Sequence, residues 1–261
     1  MSFQPILPFS GLPGWRLIQG TLDKQLKHFA SSPLLSREKS YFEENISKVQ
    51  TAADLVADRT LLKVALGAFG LEGDIQNRAF IRKVLESDLG DPKSLSARLT
   101  DPRYKELAEA FSLSASGKAK TNAPGFAAAI LQRYTVQSFE VALGEQDTAM
   151  RLAMTAKREL PKLALQDISD TSKWYRAMSQ PPIRSFLETA FGLPSDFGKI
   201  DIDQQQSILA DKALNQFNIG SFSELAQPEN LEKVIERFHL RNQVSETSQM
   251  TSQSIAIALL S

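Results

Sequence analysis

Few residues in this chain have the types and the spacing that catalysis requires. The two histidines, His28 and His239, lie far apart in the sequence, and His28 is expected at an exposed helix end. A zinc site would need histidine or carboxylate ligands at close helical spacing, and neither pattern is present. The glycine patterns of serine hydrolases, phosphate-binding loops and dinucleotide-binding folds are also missing from the sequence. The sequence therefore predicts no catalytic residue, no metal site and no cofactor.

Two further patterns have some chemical potential but simpler structural explanations. Asp196, Asp201 and Asp203 resemble the start of a calcium loop, yet the glycine and glutamate that such a loop needs further on are replaced. Helix capping explains these aspartates better. Ser36 and Lys39 have the spacing of an acyl-serine enzyme, but the companion motifs are absent. We expect Ser36 to cap a helix instead.

The composition excludes several classes of partner. Among 261 residues, thirty basic and thirty acidic side chains cancel, so no net charge attracts nucleic acid or an anionic membrane. The longest apolar runs have six residues, far fewer than the about 20 that cross a bilayer. The absence of cysteine excludes disulfides and thiolate metal sites. We expect a soluble protein that binds no nucleic acid and does not insert into a membrane.

The N-terminal segment lacks the features of a cleaved secretory signal. It has no basic start, and prolines and glycines interrupt its apolar residues. We therefore expect a cytoplasmic protein, or one that is exported without a cleaved signal peptide.

Helical periodicity runs through almost the whole sequence. Trp15, Ile18, Leu22, Leu26 and Phe29 recur at steps of three and four residues, which places them on one stripe of a helix. Sustained strict alternation of apolar and polar residues, the pattern of strands, is scarce. The sequence predicts an all-α protein, organised as a multi-helix bundle.

Capping signals predict where several helices begin. Thr51 and Asp54 have the spacing of a capping box, and Asp58 can cap the helix that follows. Asp101 and Pro102 form an N-cap and first-turn pair, because the missing proline N–H costs nothing at that position.

One four-residue motif occurs twice. Residues 68–71 read Ala-Phe-Gly-Leu, residues 190–193 repeat them, and a Phe-x-Leu ending follows at 111–113 and at 238–240. In each copy the glycine suits the left-handed turn that ends a helix. We predict that the bundle is built from two pseudo-repeated helical halves.

This repeat leads to a prediction of domain organisation. An N-terminal helical half covers residues 1–113, and a flexible linker covers 114–123. A C-terminal helical half covers 124–240, and a polar tail with an apolar end covers 241–261.

The tail is the segment that structural roles explain least well. The last full helix is expected to end near His239, after which Ser, Thr and Gln dominate. Four aliphatic residues close the tail, and we name them as candidate partner-binding residues: Ile255, Ile257, Leu259 and Leu260. Docking on the chain's own bundle, binding to another chain as a short helix, and disorder without a role all remain open.

Short motifs spread over nearly the whole chain. They comprise Gly14-Trp15 with Thr21 and Gln25, Tyr41-Phe42, Asp54-Leu55-Val56 with Asp58-Arg59, residues 66–71, Leu99 with Asp101-Pro102-Arg103-Tyr104, and Trp174. In combination they resemble the alphaproteobacterial family catalogued as domain of unknown function 1217. That family has no assigned activity and no catalytic residues to carry over. Its members are commonly encoded among flagellar genes, so the resemblance implies an assembly, structural or export-associated role.

We therefore predict a non-enzymatic protein that acts through contacts with a protein partner. By the resemblance, that partner is flagellar, and the chain is a cytoplasmic helper or an exported component. The alternative is a helical enzyme or a small-ligand-binding protein with a pocket between the two halves. An exposed apolar groove would favour a protein partner, whereas converging buried polar groups with shifted pKa values would favour the alternative.

Overall fold

Helices are the only regular elements of the computed structural model, which describes the backbone of residues 4–260 and the side chains of residues 4–245. Over this part of the chain there are fourteen: α1 (Gly11–Ala30), α2 (Pro33–Asn45), α3 (Ala52–Ala57), α4 (Arg59–Ala68), α5 (Arg78–Leu85), α6 (Leu95–Arg98), α7 (Pro102–Phe111), α8 (Phe126–Gly144), α9 (Thr148–Ala164), α10 (Asp170–Met178), α11 (Pro181–Phe191), α12 (Ile202–Phe217), α13 (Phe222–Leu225) and α14 (Pro228–Leu260). The prediction of an all-α protein is confirmed. Within the described residues, no helix combines the length and apolar character that crossing a membrane demands.

Several helices begin where the capping signals predict. The Thr51 hydroxyl accepts a hydrogen bond from the Asp54 N–H at 3.2 Å, and the Asp54 carboxylate accepts one from the Thr51 N–H at 2.9 Å. These two bonds complete the capping box of α3. Asp58 caps α4 by accepting hydrogen bonds from two N–H groups of its first turn. Asp101 caps α7 in the same manner.

The start of α2 differs from the prediction. Pro33 occupies its first turn, and Ser32 is the capping residue, although its side chain makes no capping bond. Ser36 lies inside the helix, where its N–H donates to the Ser32 carbonyl at 2.9 Å. The prediction that Ser36 caps a helix is wrong, because proline starts the helix three residues earlier.

The two Ala-Phe-Gly-Leu motifs end α4 and α11 in the same way. Gly70 and Gly192 have φ angles of 69° and 65°, in the left-handed region. Leu71 and Leu193 each donate an N–H to the carbonyl five residues earlier, at 2.9 and 2.8 Å. This bond belongs to the Schellman motif, which satisfies carbonyls at a helix end. The structural role of both glycines is confirmed, while the duplication of a whole half stays a prediction.

Close contacts divide the chain into two compact units. The first contains Thr21–Ala142 with the N-terminal residues up to Ile6, and the second contains Leu7–Gly20 with the chain from Leu143 onward. These bounds differ from those of the predicted halves. They fall inside the continuous helix α1 and near the end of α8.

The predicted linker, residues 114–123, lies inside the first unit. Thr121 is buried there, and its hydroxyl donates a 2.7 Å hydrogen bond to the Val49 carbonyl. The flexibility of this segment stays a prediction.

A polar cluster ties together three helices of the first unit. The Tyr134 hydroxyl of α8 donates to Glu38 of α2 at 2.5 Å, and Lys63 of α4 forms an ion pair with the same carboxylate at 2.5 Å. Gly67 of α4 lies beside the tyrosine ring, where a methyl group would be 2.6 Å from Cε2 of Tyr134. The absence of a side chain at Gly67 therefore lets the ring reach its carboxylate partner.

The core of the second unit is rich in aromatic side chains. The Phe186 and Phe238 rings of α11 and α14 pack with centroids 4.8 Å apart, and Trp174 packs edge-on against Phe222 at 5.0 Å. Trp15 is fully buried, and its indole N–H donates to Glu232 at 2.6 Å. The contact between Phe186 and Phe238 holds α14 against α11.

Candidate functional site

Helices α11 and α14 of the second unit form a groove beside the end of α11. Its volume is about 510 Å³, within the usual range of ligand sites. The α11–α14 groove is lined by the last turn of α11, the residues that follow it and two turns of α14: Thr189, Gly192, Leu193, Arg237, Leu240, Arg241, Val244 and Ser245.

Local sequence explains why α11 ends at the groove. Proline opens the helix at Pro181, and the left-handed backbone of Gly192 closes it. The Leu193 N–H satisfies the Glu188 carbonyl of the last turn at 2.8 Å. The chain therefore leaves the helix in a fixed direction, with Thr189 and Leu193 on the wall of the groove.

Helix α14 supplies the opposite wall. Its buried face packs on α11 through Phe238, whereas Leu240 and Val244 remain 48% and 67% exposed. Residues four apart share one face of a helix. Together with Leu193, these two side chains give the groove an aliphatic surface that is accessible to a partner.

Two arginines carry the charge of the α11–α14 groove. Arg237 is exposed and Arg241 is half-buried, and their guanidinium groups form no ion pair with a described side chain. Within the described residues, Nε of Arg241 is shielded from water and has no hydrogen-bond acceptor. Burial lowers the pKa of Arg241, and the nearby charge of Arg237 lowers it further. Among the described side chains, the two like charges therefore lack an anion that would offset their repulsion.

Nearby carboxylates are engaged elsewhere. Glu188 of α11 forms an ion pair with Arg184 at 2.8 Å, and Glu236 of α14 forms one with Arg16 at 3.2 Å. Neither carboxylate lines the groove. The positive charge of the α11–α14 groove is thus available to an outside acidic group.

The first unit provides an internal comparison at the end of α4. There Arg103 donates to the Gly70 carbonyl at 2.5 Å and to the Asp101 carboxylate at 2.6 Å. Burial alone would lower the pKa of Arg103, but its hydrogen bonds and ion pair with Asp101 raise that pKa above the ordinary value. Arg103 is a satisfied structural arginine, whereas Arg241 lies at the same kind of helix end without a carboxylate partner in the part of the chain whose side chains are described.

The structure shows where the histidines and one of the aspartates named from the sequence lie. His28 is exposed in the last turn of α1, as predicted, and His239 is fully buried beside the Trp15 ring at 5.5 Å. Burial lowers the pKa of His239 to about 4, while the charge of Asp147 opposes that shift. Asp201 caps α12 by accepting from the first turn, which confirms the capping explanation for this residue.

The predicted partner-binding residues lie outside the part of the chain whose side chains are described. They are Ile255, Ile257, Leu259 and Leu260, and their role stays a prediction. The backbone there continues α14 as far as Leu260. The prediction that the last helix ends near His239 is therefore wrong, since no glycine or proline interrupts the helix after that residue.

The sequence does not predict the α11–α14 groove, because the composition after His239 indicates a tail that includes Arg241. The four-residue spacing of Arg237 and Arg241 indicates one helical face once α14 is extended. Their lack of a carboxylate partner depends on tertiary packing, which no local pattern reveals.

This chain is similar to a family of proteins and to a solved structure. A family model described as protein of unknown function (DUF1217) matches residues 68–231, a span that includes both Ala-Phe-Gly-Leu motifs. The X-ray crystal structure of a protein from Agrobacterium tumefaciens is similar to this chain, with a TM-score of 0.74 and 27% sequence identity. That similarity covers 93% of this chain and 99% of the other. No curated protein matches the chain.

Proposed function

Since this chain belongs to the DUF1217 family, a family of unknown function, we propose a function from its geometry. The protein binds another protein in the α11–α14 groove and catalyses no reaction of its own.

The observation that carries the proposal is the pairing of unmatched charge with exposed aliphatic surface. Arg237 and Arg241 line the groove without a carboxylate among the described side chains, and Leu240 and Val244 are exposed beside them. Arginine and large apolar side chains are the types enriched at protein interfaces. A partner that covers this surface would bury the aliphatic groups and supply the missing anion.

Structural roles of other polar groups favour binding over catalysis. Glu38 holds Tyr134 and Lys63 in the first unit, and Glu232 holds Trp15 and Lys157 in the second. Burial raises the pKa of Tyr134, so its hydroxyl stays protonated at neutral pH and donates to Glu38. These carboxylates stabilise packing between helices, a use that explains their positions without a reaction.

The cellular setting of the proposal comes from the resemblance to the alphaproteobacterial members of the family. Their common location among flagellar genes implies a flagellar partner. The chain would then serve as an assembly or structural factor, either in the cytoplasm or as an exported component.

Site-specific photo-crosslinking in the native cell tests the proposal. A photoreactive p-benzoylphenylalanine replaces Leu240 in the groove, and a second variant carries it at Leu214 of α12. Leu214 is a matched control for Leu240, since the two side chains are 49% and 48% exposed in the same unit. We expect a discrete protein adduct from position 240 that is absent from position 214. No adduct at position 240, or the same adducts from both positions, would contradict the proposal.

A further inference from the structure

We propose that the α11–α14 groove recognises an acidic, amphipathic segment of its partner, in which carboxylates lie beside an aliphatic side chain. This inference rests on the proposed function and adds the chemistry of the partner.

The positive charge of the groove favours a negatively charged partner. Its eight lining residues include Arg237 and Arg241 and no acidic residue. Arginine presents a planar fork of N–H donors that binds a carboxylate through two parallel hydrogen bonds. A carboxylate between the two guanidinium groups would relieve their mutual repulsion and give the buried Nε of Arg241 an electrostatic partner.

The absence of a side chain at Gly192 leaves room for one of these arginines. The guanidinium of Arg241 lies against the glycine, where a methyl group would overlap Nη1 and would be 3.0 Å from Nη2. The C-terminal end of a helix carries partial negative charge, which attracts a cation to this position. Arg241 is thus oriented before the partner arrives, so that less side-chain entropy is lost on binding.

The apolar part of the groove selects a segment over a small anion. Leu193, Leu240 and Val244 line the same groove beside the arginines, and the whole groove has a volume of about 510 Å³. A small anion would leave these side chains exposed to water. A peptide that carries a carboxylate one turn from an aliphatic residue would cover both parts of the groove, as in the recognition of acidic motifs by arginine clusters.

The chain's own C-terminal sequence does not have this chemistry. Residues 241–261 contain aliphatic side chains but a single acidic residue, Glu246. A second copy of that segment would bury Arg237 and Arg241 against at most one side-chain carboxylate, which is unfavourable for two like charges. The segment that fits therefore belongs to a different protein.

Charge reversal at the groove tests this inference in the full chain. The adduct formed from position 240 is digested and its attached peptide is sequenced by mass spectrometry. We expect a segment with at least two acidic residues within a helical turn or two of a leucine, isoleucine, valine or phenylalanine. Arg237→Glu should lower the adduct yield about tenfold or more, because truncation or reversal of a buried charge contact is costly.

A matched variant and a charge swap complete the test. Lys233→Glu reverses an exposed charge on α14 outside the groove, and we expect it to leave the yield unchanged. Replacing the captured acidic residues by arginine should restore the adduct of Arg237→Glu. A neutral or basic captured segment, or a yield that is indifferent to Arg237→Glu, would overturn the inference while the proposed function stands. A missing adduct at position 240 would overturn both.

Discussion

The guanidinium of Arg241 lies so close to Gly192 that a side chain at position 192 would overlap it. Gly70 has the same left-handed backbone, yet a methyl group there would be 3.4 Å from Nη1 of Arg103, which is an ordinary contact. Arg103 also has Asp101 as a partner, whereas Arg241 has no carboxylate among the described side chains. The same helix ending thus supports a structural arginine in one unit and an arginine open to a partner in the other.

Replacing Gly70 and Gly192 by alanine should distinguish an effect on stability from an effect on partner binding. Gly70→Ala and Gly192→Ala should each lower the free energy of unfolding by about 1 kcal/mol, the cost of a left-handed backbone for an alanine. Only Gly192→Ala should also weaken partner capture at the groove, because it displaces the flexible end of Arg241. Urea denaturation followed by circular dichroism measures the first effect, and photo-adduct yield measures the second. Unchanged capture in Gly192→Ala would show that the position of Arg241 is unimportant.

Two other glycines should respond to alanine with opposite signs. Gly20 of α1 is open, with no atom within 4 Å of an added methyl group, so Gly20→Ala should stabilise the protein by up to about 1 kcal/mol. Gly67 lies in α4 against the ring of Tyr134, whose hydroxyl is held by Glu38. The added methyl group would overlap that ring at a cost of about 1–3 kcal/mol, which should exceed the gain in helix propensity. A stabilising Gly67→Ala in thermal denaturation would refute the close ring contact.

The hydrogen bond between Trp15 and Glu232 should stabilise the second unit. Glu232→Ala removes the acceptor and leaves a buried indole N–H unsatisfied, so we expect a loss of about 1–3 kcal/mol. Glu232→Gln keeps an acceptor oxygen and should lose less. Urea titrations of both variants, read by tryptophan fluorescence, give the comparison. Equal losses would mean that the charge of Glu232, paired with Lys157, is more important than its oxygen as an acceptor.

His239 should make the stability of the protein depend on pH. Burial lowers the pKa of its imidazole to about 4 in the folded state, against about 6.5 in an unfolded chain. Between these values the unfolded chain binds more protons, so stability falls as the pH falls from about 6.5 to about 4. The shift corresponds to about 3 kcal/mol over that window.

Comparison with His239→Phe isolates this contribution. Both proteins share the titration of their acidic residues, so the difference in their free energies of unfolding reports the imidazole. We expect that difference to change by about 3 kcal/mol in favour of the phenylalanine variant as the pH is lowered from 7 to 4. A difference that does not vary with pH would mean that His239 is accessible to protons in the folded state.

Much of the fold could be predicted from local signals. Thr51 with Asp54, Asp58, and Asp101 mark helix starts, because capping is decided by a few neighbouring residues. The glycine endings at Gly70 and Gly192 are equally local, since the left-handed backbone depends on that residue itself.

The candidate site could not be predicted in the same way. Helix α14 continues beyond His239 without a local signal for its end, so the sequence alone predicts a tail that includes Arg241. Whether an arginine has an acidic partner depends on residues distant in sequence, such as the pairing of Glu236 with Arg16. Such pairing is fixed by packing between helices, and it is visible only in three dimensions.

Hydrogen–deuterium exchange with the captured partner shows whether the partner binds in the α11–α14 groove. The full chain is compared with and without that partner, and backbone protection is mapped by mass spectrometry. If the α11–α14 groove is the binding surface, new protection should cluster at residues 189–193 and 237–245, and it should be lost in Arg237→Glu. Protection at α12 or elsewhere, with none at these two segments, would show that the partner binds a different surface.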